Sequence, residues 1–515
     1  MEDSAITMPS PSHSAIAVLA SRMAQTNVDM VAIAYRVLQE NGFVTEIPRS
    51  LDDDLPSKDP KTPGTLDLRE LPWSSIDNHD SKDLDQLEVA ERLANGNLKL
   101  LVAIADVDGF APKGSAIDAY AAQNCATLYT GVKIFPMLPD ELSSNRSSLL
   151  PRVDRLSVVT EMVIDKDGNI LEKECKVYRA LVHNHAKLIY EEIGAWLAGD
   201  GDGPKMERAS ERSERGPSDP VIAEQVRMQD EFVQRMRAHR YRNGALDFDT
   251  VEARPVTENG RVVNLVVLHK SRARELVEDI MIAVNQSTAR LLELHGFSSI
   301  RRVVRRPKRW DRIVELAASY GFELPPEPSS ERLSVFLAER RKKDPDRFGD
   351  VSLAVVKLLG PGEYVVQRAT DADIGHFGLA VQDYNHSTAP NRRYPDLITQ
   401  RLLKAMMDKK PQPYSDDELL DLAAHATDRE NAARKVERTM RKVAAADFLS
   451  TRVGETFDAI VTGSSSAGTF ARLISPPAEG RVVQGERGID VGDKVRVRLL
   501  GTNIERGFID FAVVR

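Results

Sequence analysis

Four aspartates, Asp77, Asp80, Asp83 and Asp85, fall within nine residues of the segment 76–86, IDNHDSKDLDQ. The segment has little helical periodicity, so its carboxylates are not dispersed around a helix and can converge on one hard divalent cation. Magnesium takes oxygen ligands in near-octahedral geometry and keeps waters and substrate phosphate in its shell. Taken alone, such a run reads first as a solvated acidic loop, and the surrounding sequence has to decide.

The elements around the run argue for an α+β multidomain chain. From Thr65 to Asp106, strand-like stretches such as LKLLVAIADV alternate with acidic loops, and DKDGN at 165–169 reads as a turn between two strands. Apolar residues at helical spacing follow over roughly 221–239, 271–295, 308–320, 331–342, 391–408 and 416–450. Short alternating strands separated by glycine turns, as in GDKVRVRLLG and GFIDFAVV, mark a small β-barrel over about 453–515. Before the strands, 1–49 is helical in pattern; breaks at Asn27 and Gly42 allow a helix-turn-helix-like unit, though it lacks a basic face. Residues 50–64 read as a linker, and 199–220, almost without apolar content, as an exposed insertion.

The 515 residues carry 70 Lys+Arg against 78 Asp+Glu, a net −8 that at first sight argues against nucleic-acid binding. The excess is local. Residues 1–85 hold 15 acids and 7 bases, whereas 86–515 hold 63 of each. Cys125 and Cys175 are too few for a disulfide framework or a four-cysteine zinc site, and neither has a nucleophile's context. The start of the chain lacks a secretory signal, and no apolar run approaches the ~20 residues of a membrane span. The expectation is a cytoplasmic protein, off the membrane and monomeric.

Asp77, Asp83 and Asp85 fit a D-x5-D-x-D-D pattern, and the blocks that follow fit the same family in order: LLVAIADV at 100–107, LYTGVKIFPMLPDELSSNRSSLLP at 128–151, GALDFD at 244–249, ELVEDIMIAVN at 275–285, HSTAPNRRYPDLITQRLL at 386–403 and KVERTMRK at 435–442. Over roughly 65–450 the chain resembles the ribonuclease II (RNB) family, and the terminal barrel resembles the S1 RNA-binding domain that closes it. The resemblance implies a mixed α/β catalytic core. It also implies a processive, hydrolytic 3′→5′ exoribonuclease that degrades single-stranded RNA to nucleoside 5′-monophosphates. Without a lysine-rich tail of the ribonuclease R kind, the expected type is ribonuclease II. Metal ions suit such chemistry because they lower the pKa of attacking water and stabilise the leaving oxygen. The expected ion is Mg²⁺, with Mn²⁺ as substitute, held by Asp77, Asp83 and Asp85.

The family's fourth acidic position is Gln86. An amide oxygen can ligate magnesium but brings no charge, so Asp80 or a water would have to compensate. The alternative reading is a catalytically impaired RNA-binding or regulatory protein on the same fold.

The resemblance further assigns Tyr129 to the scissile end and Phe248 to an aromatic clamp, both suited to sequence-tolerant stacking. Tyr190 and Glu278 match positions that favour RNA over DNA, where a carboxylate can accept from a ribose 2′-OH. Arg392 takes the catalytic arginine position, with Arg393 as the alternative if the register slips, and Ala389 and Asn391 depart from the family pattern. Glu437 matches a glutamate near the leaving group. On residue type alone, Tyr129 and Phe248 read first as core aromatics and Glu437 as a charge on an exposed helix, while Tyr190 and Glu278 read equally as a packed tyrosine and a surface glutamate.

Beyond the core, residues 301–309 place six cations in nine positions, a backbone-phosphate contact if exposed. Lys494, Arg496 and Arg498 alternate, so they share one strand face, and Phe457, Phe470 and Phe508 are stacking or core aromatics of the barrel. A helical segment stands here in place of the family's two cold-shock barrels. His376 reads as a structural histidine.

Overall fold

Strand Leu98–Ala105 explains the core. Its near-continuous apolar run is what a strand buried on both faces requires, and period-two alternation sends Leu100, Val102 and Ile104 to one layer and Leu101, Ala103 and Ala105 to the other. The structure, a computed structural model, describes residues 28–514 apart from 54, 57–59, 61–62, 200–216, 250–251, 259, 269, 372–373 and 466–467.

Seven strands form the central sheet: β1 (Leu66–Asp67), β2 (Ser74–Asp77), β3 (Gln86–Arg92), β4 (Leu98–Ala105), β7 (Asp154–Ile164), β8 (Lys176–His183) and β9 (Ala186–Ile189), in the order β1-β8-β7-β4-β3-β2-β9. The pairs β1–β8 and β2–β9 are parallel, and the rest antiparallel. Three small antiparallel pairs lie outside it: β5 (Leu128–Tyr129) with β6 (Ile134–Phe135), β10 (Glu252–Glu258) with β11 (Arg261–Leu268), and β12 (Ser299–Val303) with β13 (Glu363–Gln367).

One sheet face is covered by α3 (Tyr190–Gly199), α4 (Pro220–Arg242) and α5 (Arg272–Leu294), through Ile193, Trp196, Phe232, Val233, Leu276 and Ile280. The other packs on α9 (Tyr394–Met407), on the start of α10 (Asp416–Leu449) and on α2 (Ala116–Asn124), through Leu397, Leu402, Leu419 and Ile117. A satellite core holds α6 (Trp310–Ser319), α7 (Ser330–Lys343) and α8 (Pro345–Leu359) around Phe336 and Trp310. The sequence pattern does not single out α8.

α10 starts at a full capping box, with Ser415 accepting from the Glu418 amide and Glu418 accepting from that of Ser415. Its 34 residues run the length of the core into the C-terminal domain. There β14 (Thr456–Ser465), β15 (Gly468–Leu473), β16 (Glu479–Gln484), β17 (Lys494–Asn503) and β18 (Phe508–Val514) close a barrel in the order β14-β15-β16-β18-β17. Val482, Val497, Leu499 and Phe511 fill it. The α+β architecture with a terminal OB-type barrel is the expected one.

In the N-terminal segment, the described part forms α1 (Met30–Glu40), which the Asp29 carboxylate caps. α1 packs Ile33, Ala34 and Val37 into the same cluster as Val436, Met440 and Val443 of α10 and Phe511 of the barrel. Its Arg36 guanidinium donates to the Glu505 carbonyl. This helix is thus a brace between core and barrel. Residues 1–27 and most of the expected insertion, 200–216, lie outside the described residues; the linker opens with one helical turn, Ser50–Asp53.

Candidate active site

The acidic loop leaves β2 at Asp77 and re-enters the sheet at Gln86, and the chain pins it from several sides. Lys187 of β9 donates to the carbonyls of His79 (3.0 Å) and Ser81 (2.7 Å). Ser148 accepts from the Leu84 amide at 2.9 Å and donates to the Lys82 carbonyl at 2.6 Å. Backbone polar groups that would be costly to leave buried are therefore satisfied, and the loop holds one conformation.

A second set of backbone contacts brings Tyr129 and Arg392 to this loop. The Thr127 amide donates to the Arg392 carbonyl (3.0 Å) and the Tyr394 amide to the Cys125 carbonyl (2.9 Å), zipping 125–127 against 392–394. Tyr129 Oη then donates to Asp83 Oδ2 at 3.3 Å while the residue stays 40% exposed. Arg392 Nε lies 3.5 Å from Asp85 Oδ2, and the Asn391 amide donates to Asp85 Oδ1 at 3.3 Å. Asn391, the departure from the family pattern, is itself held by Ser147, whose hydroxyl donates to its Oδ1 at 2.6 Å.

The neighbouring arginine does something else. Arg393 donates to Asp396 Oδ1 (2.7 Å) and Thr388 Oγ1 (3.3 Å). Asp396 also accepts from the amides of Thr388 and Ala389, both at 2.8 Å. Arg393 is therefore tied into the turn before α9, and of the two registers it is Arg392 whose guanidinium borders the acids. Sequence reasoning missed Asp396; its place in the first turn of a helix, three residues after an arginine, was the available signal.

The electrostatics are those of acids short of partners. Burial pushes Asp77 up to about 7, helped by Asp83 and opposed by Lys187 and Arg392. Burial likewise pushes Asp85 up to about 7, against the pull of Arg392. Glu88, two residues after Gln86, is fully buried, and its carboxyl stands well above the usual range because of desolvation and the Asp77 charge. Among the described residues, Asp77 Oδ2, both Glu88 oxygens and Ser74 Oγ lack hydrogen-bond partners. Among the described residues, no three His, Cys, Asp or Glu side chains form a ready-made metal cage. Oxygen donors without protein partners nevertheless fit a hard divalent cation. Asp80 does not join them: it is exposed and paired to Arg254 at 3.1 Å.

The other expected site residues divide. Tyr190 opens α3 beside the acids: burial raises its hydroxyl, Asp77 and Glu88 add to the shift, and the Arg274 guanidinium stacks over its ring at 4.6 Å. Arg274 also donates to Asn78 in the acidic loop. Glu278 is exposed on α5, one turn from Arg274. Phe248 is half-buried against the satellite core of Leu246, Trp310 and Phe336. Glu437 is half-buried on α10, next to Val436. His376 is structural as expected, accepting from the Leu379 amide, and burial lowers it to about 4.

One expectation is overturned for its first two members. Arg301 and Arg302 are buried on β12 and paired, Arg301 with Glu293 and Asp383, Arg302 with Glu430. They are core ion pairs, because acids distant in sequence meet them there. On the barrel, Lys494, Arg496 and Arg498 share the exposed face of β17, Phe508 is exposed, and Phe457 is core.

Known proteins share this fold. The RNB domain model matches residues 65–409, and that of the RNase II-type exonuclease C-terminal S1 domain matches 455–514. Ribonuclease R 1 of Lactococcus lactis is 30% identical over 450 residues, 85% of this chain and 53% of that protein. Ribonuclease R of Thermotoga maritima is 29% identical over 489 residues, 88% of this chain and 65% of that protein. The chain thus spans between half and two-thirds of the length of these relatives. The solved structure of Mycoplasma genitalium RNase R in complex with ribose-methylated single-stranded RNA shares the fold, with a TM-score of 0.83 and 22% identity over 95% of this chain and 79% of that one. These matches do not divide the ribonuclease II type from the ribonuclease R type. Among the described residues, no helix is long and apolar enough to cross a membrane. The RNB model spans most of the chain and the S1 model the barrel after it; the chain belongs to the RNB family.

Proposed function

We propose that the chain is a divalent-metal-dependent 3′→5′ exoribonuclease that degrades single-stranded RNA to nucleoside 5′-monophosphates, with Mg²⁺ as the working ion. The observation that carries this reading is the convergence of Tyr129 and Arg392 on Asp83 and Asp85, beside under-partnered acids, at one edge of the sheet. Asp77, Asp83 and Asp85 would hold the cation, which supplies activation of water and neutralisation of phosphate charge.

The chain's own residues do the rest. The exposed Arg392 guanidinium offers a planar fork to phosphoryl oxygens as charge develops on them. The Tyr129 hydroxyl fixes the Asp83 carboxylate, and its exposed ring offers a stacking face that any base can use. Tyr190, with Arg274 over its ring, and Glu278 on the following turn of α5 are proposed to meet a ribose 2′-OH, the group that separates RNA from DNA. Glu437 is proposed near the leaving group and Phe248 on the RNA path. The basic face of β17 would draw the strand in through phosphate contacts.

Gln86 favours a second reading, an RNA-binding protein with impaired catalysis. Purified protein incubated with poly(A) and Mg²⁺ or Mn²⁺ separates the two. Release of AMP is expected. RNA binding without AMP at any metal concentration would select the second reading.

A further inference from the structure

Gln86 leaves the acidic site one charge short of its family pattern, and the chain carries a nearby carboxylate that no other role absorbs. Glu88 lies on β3 two residues beyond Gln86. Side chains two apart on a strand project from the same face, about 6.6 Å apart along its axis. The register agrees. Gln86 pairs with Ile104 and Glu88 with Val102, and both partners belong to the layer beneath α3, α4 and α5. Glu88 therefore shares with Gln86 the face of β3 on which Asp77 acts on it.

Its surroundings point the same way. Glu88 is fully buried, and among the described residues neither carboxylate oxygen has a hydrogen-bond partner. Leaving a charge in that state costs several kcal/mol unless a cation compensates it or the group takes up a proton; beside it, Ala90 and Val102 are apolar, and the Gln229 amide of α4 donates to the Glu88 carbonyl rather than to its carboxylate. The charge that raises Glu88, after burial, is that of Asp77, whose own Oδ2 also lacks a partner among the described residues. Tyr190 feels both. Asp80, the other acid available to compensate, is turned outward onto Arg254.

We propose that Glu88 supplies to the bound divalent cation the carboxylate charge that Gln86 lacks. This rests on the metal-dependent reading above and goes beyond it: the fourth acid has moved two residues along the same strand face.

The test is Mn²⁺ binding to the full chain, followed by electron paramagnetic resonance and by calorimetry, independently of activity. E88Q is expected to raise the Mn²⁺ dissociation constant at least tenfold; a change of less than twofold would overturn the proposal. E88Q removes a buried unpaired charge, so the metal-free fold should survive, which its melting temperature reports. Q86D gives a second reading that leaves Glu88 untouched. If Glu88 already supplies the charge, Q86D tightens Mn²⁺ by no more than about threefold. Tightening of tenfold or more would show that the charge was missing and overturn the proposal. In the Q86D/E88Q double variant, affinity should return to within threefold of the original chain, and no recovery would overturn it. A chain that releases AMP while E88Q binds Mn²⁺ normally sinks only this inference; a chain that neither binds Mn²⁺ nor releases AMP sinks the functional reading itself.

Discussion

Two clusters of buried acids flank the same sheet and are built on opposite terms. Beyond β4, Asp106, Asp108 and Asp118 are matched by cations: Lys404 Nζ lies 2.9 Å from both Asp106 and Asp108, and Arg401 lies 2.9 Å from Asp108 and 2.8 Å from Asp118. Arg401 also donates to Tyr414 Oη and the Ala111 carbonyl. Burial alone would lower Lys404, yet Asp106 and Asp108 outweigh it and hold its ammonium above the usual range. At the β2–β3 junction, among the described residues, the cations near Asp77, Asp83, Asp85 and Glu88 are the exposed Arg392 and a Lys187 whose hydrogen bonds go to backbone carbonyls, with Tyr129 and the Asn391 amide as neutral donors to Asp83 and Asp85. The first cluster is closed by the protein; the second leaves its acids to a cation from outside. Complete pairing marks architecture, and incomplete pairing of buried acids marks chemistry.

Substitutions in the two clusters should separate them, the largest effect first. D85N should lower AMP release from poly(A) at least ~10³-fold, since it removes a metal-site carboxylate, while the metal-free melting temperature at pH 8 does not fall. K404A should do the reverse. Stranding Asp106, while Asp108 keeps Arg401, should cost about 3 kcal/mol of stability, read by denaturant unfolding. If D85N destabilises as K404A does, the two clusters are alike and the distinction fails.

R392A comes next, with a loss of about 10²-fold in kcat and little change in KM for short oligonucleotides, as expected for a group acting on developing charge; a pure KM effect would move Arg392 to substrate binding. On the barrel, a K494A/R496A/R498A triple variant should weaken single-stranded RNA binding and flatten the slope of log K against log salt by about 2. An unchanged slope would take β17 off the RNA path.

The smallest effect is a pH dependence. Asp77 and Asp85 are raised to about 7 in the fold from 3.8. Between about pH 4 and 7 the native state therefore binds more protons than the unfolded chain, so this contribution to metal-free stability falls as pH rises through that window. Saturating Mg²⁺ must displace those protons, so its affinity should strengthen from pH 6 to 8 and its stabilisation should be greatest at the alkaline end. Thermal melts with and without Mg²⁺ check both signs.

What the residues disclosed, and what they hid, follows from the range of the interactions. Local signals were legible. The apolar run of LKLLVAIA, the helical period in 416–450 and the i, i+2 cations of β17 each depend on neighbours in sequence, and each element formed where expected. The acids and Arg392 were legible as a spaced pattern.

Glu88 was not. In QLEVAER a charged residue between apolar ones reads as the solvent side of a half-buried strand. Only the helices packed on that face, drawn from 190–199, 220–242 and 272–294, make it interior. Arg301 and Arg302 misled for the same reason: their acids come from Glu293, Asp383 and Glu430, and no local pattern reveals a pairing made in three dimensions. Pairing state, rather than residue type, separated site from scaffold.

The most direct test of that separation is the anomalous diffraction of Mn²⁺ in crystals of the full chain. A peak is expected within about 2.0–2.3 Å of carboxylate oxygens of the β2–β3 junction, among Asp77, Asp83, Asp85 and Glu88, and none beside Asp106, Asp108 or Asp118. Crystals equilibrated at a Mn²⁺ concentration that supports RNA hydrolysis, yet showing no peak at that junction, would contradict it.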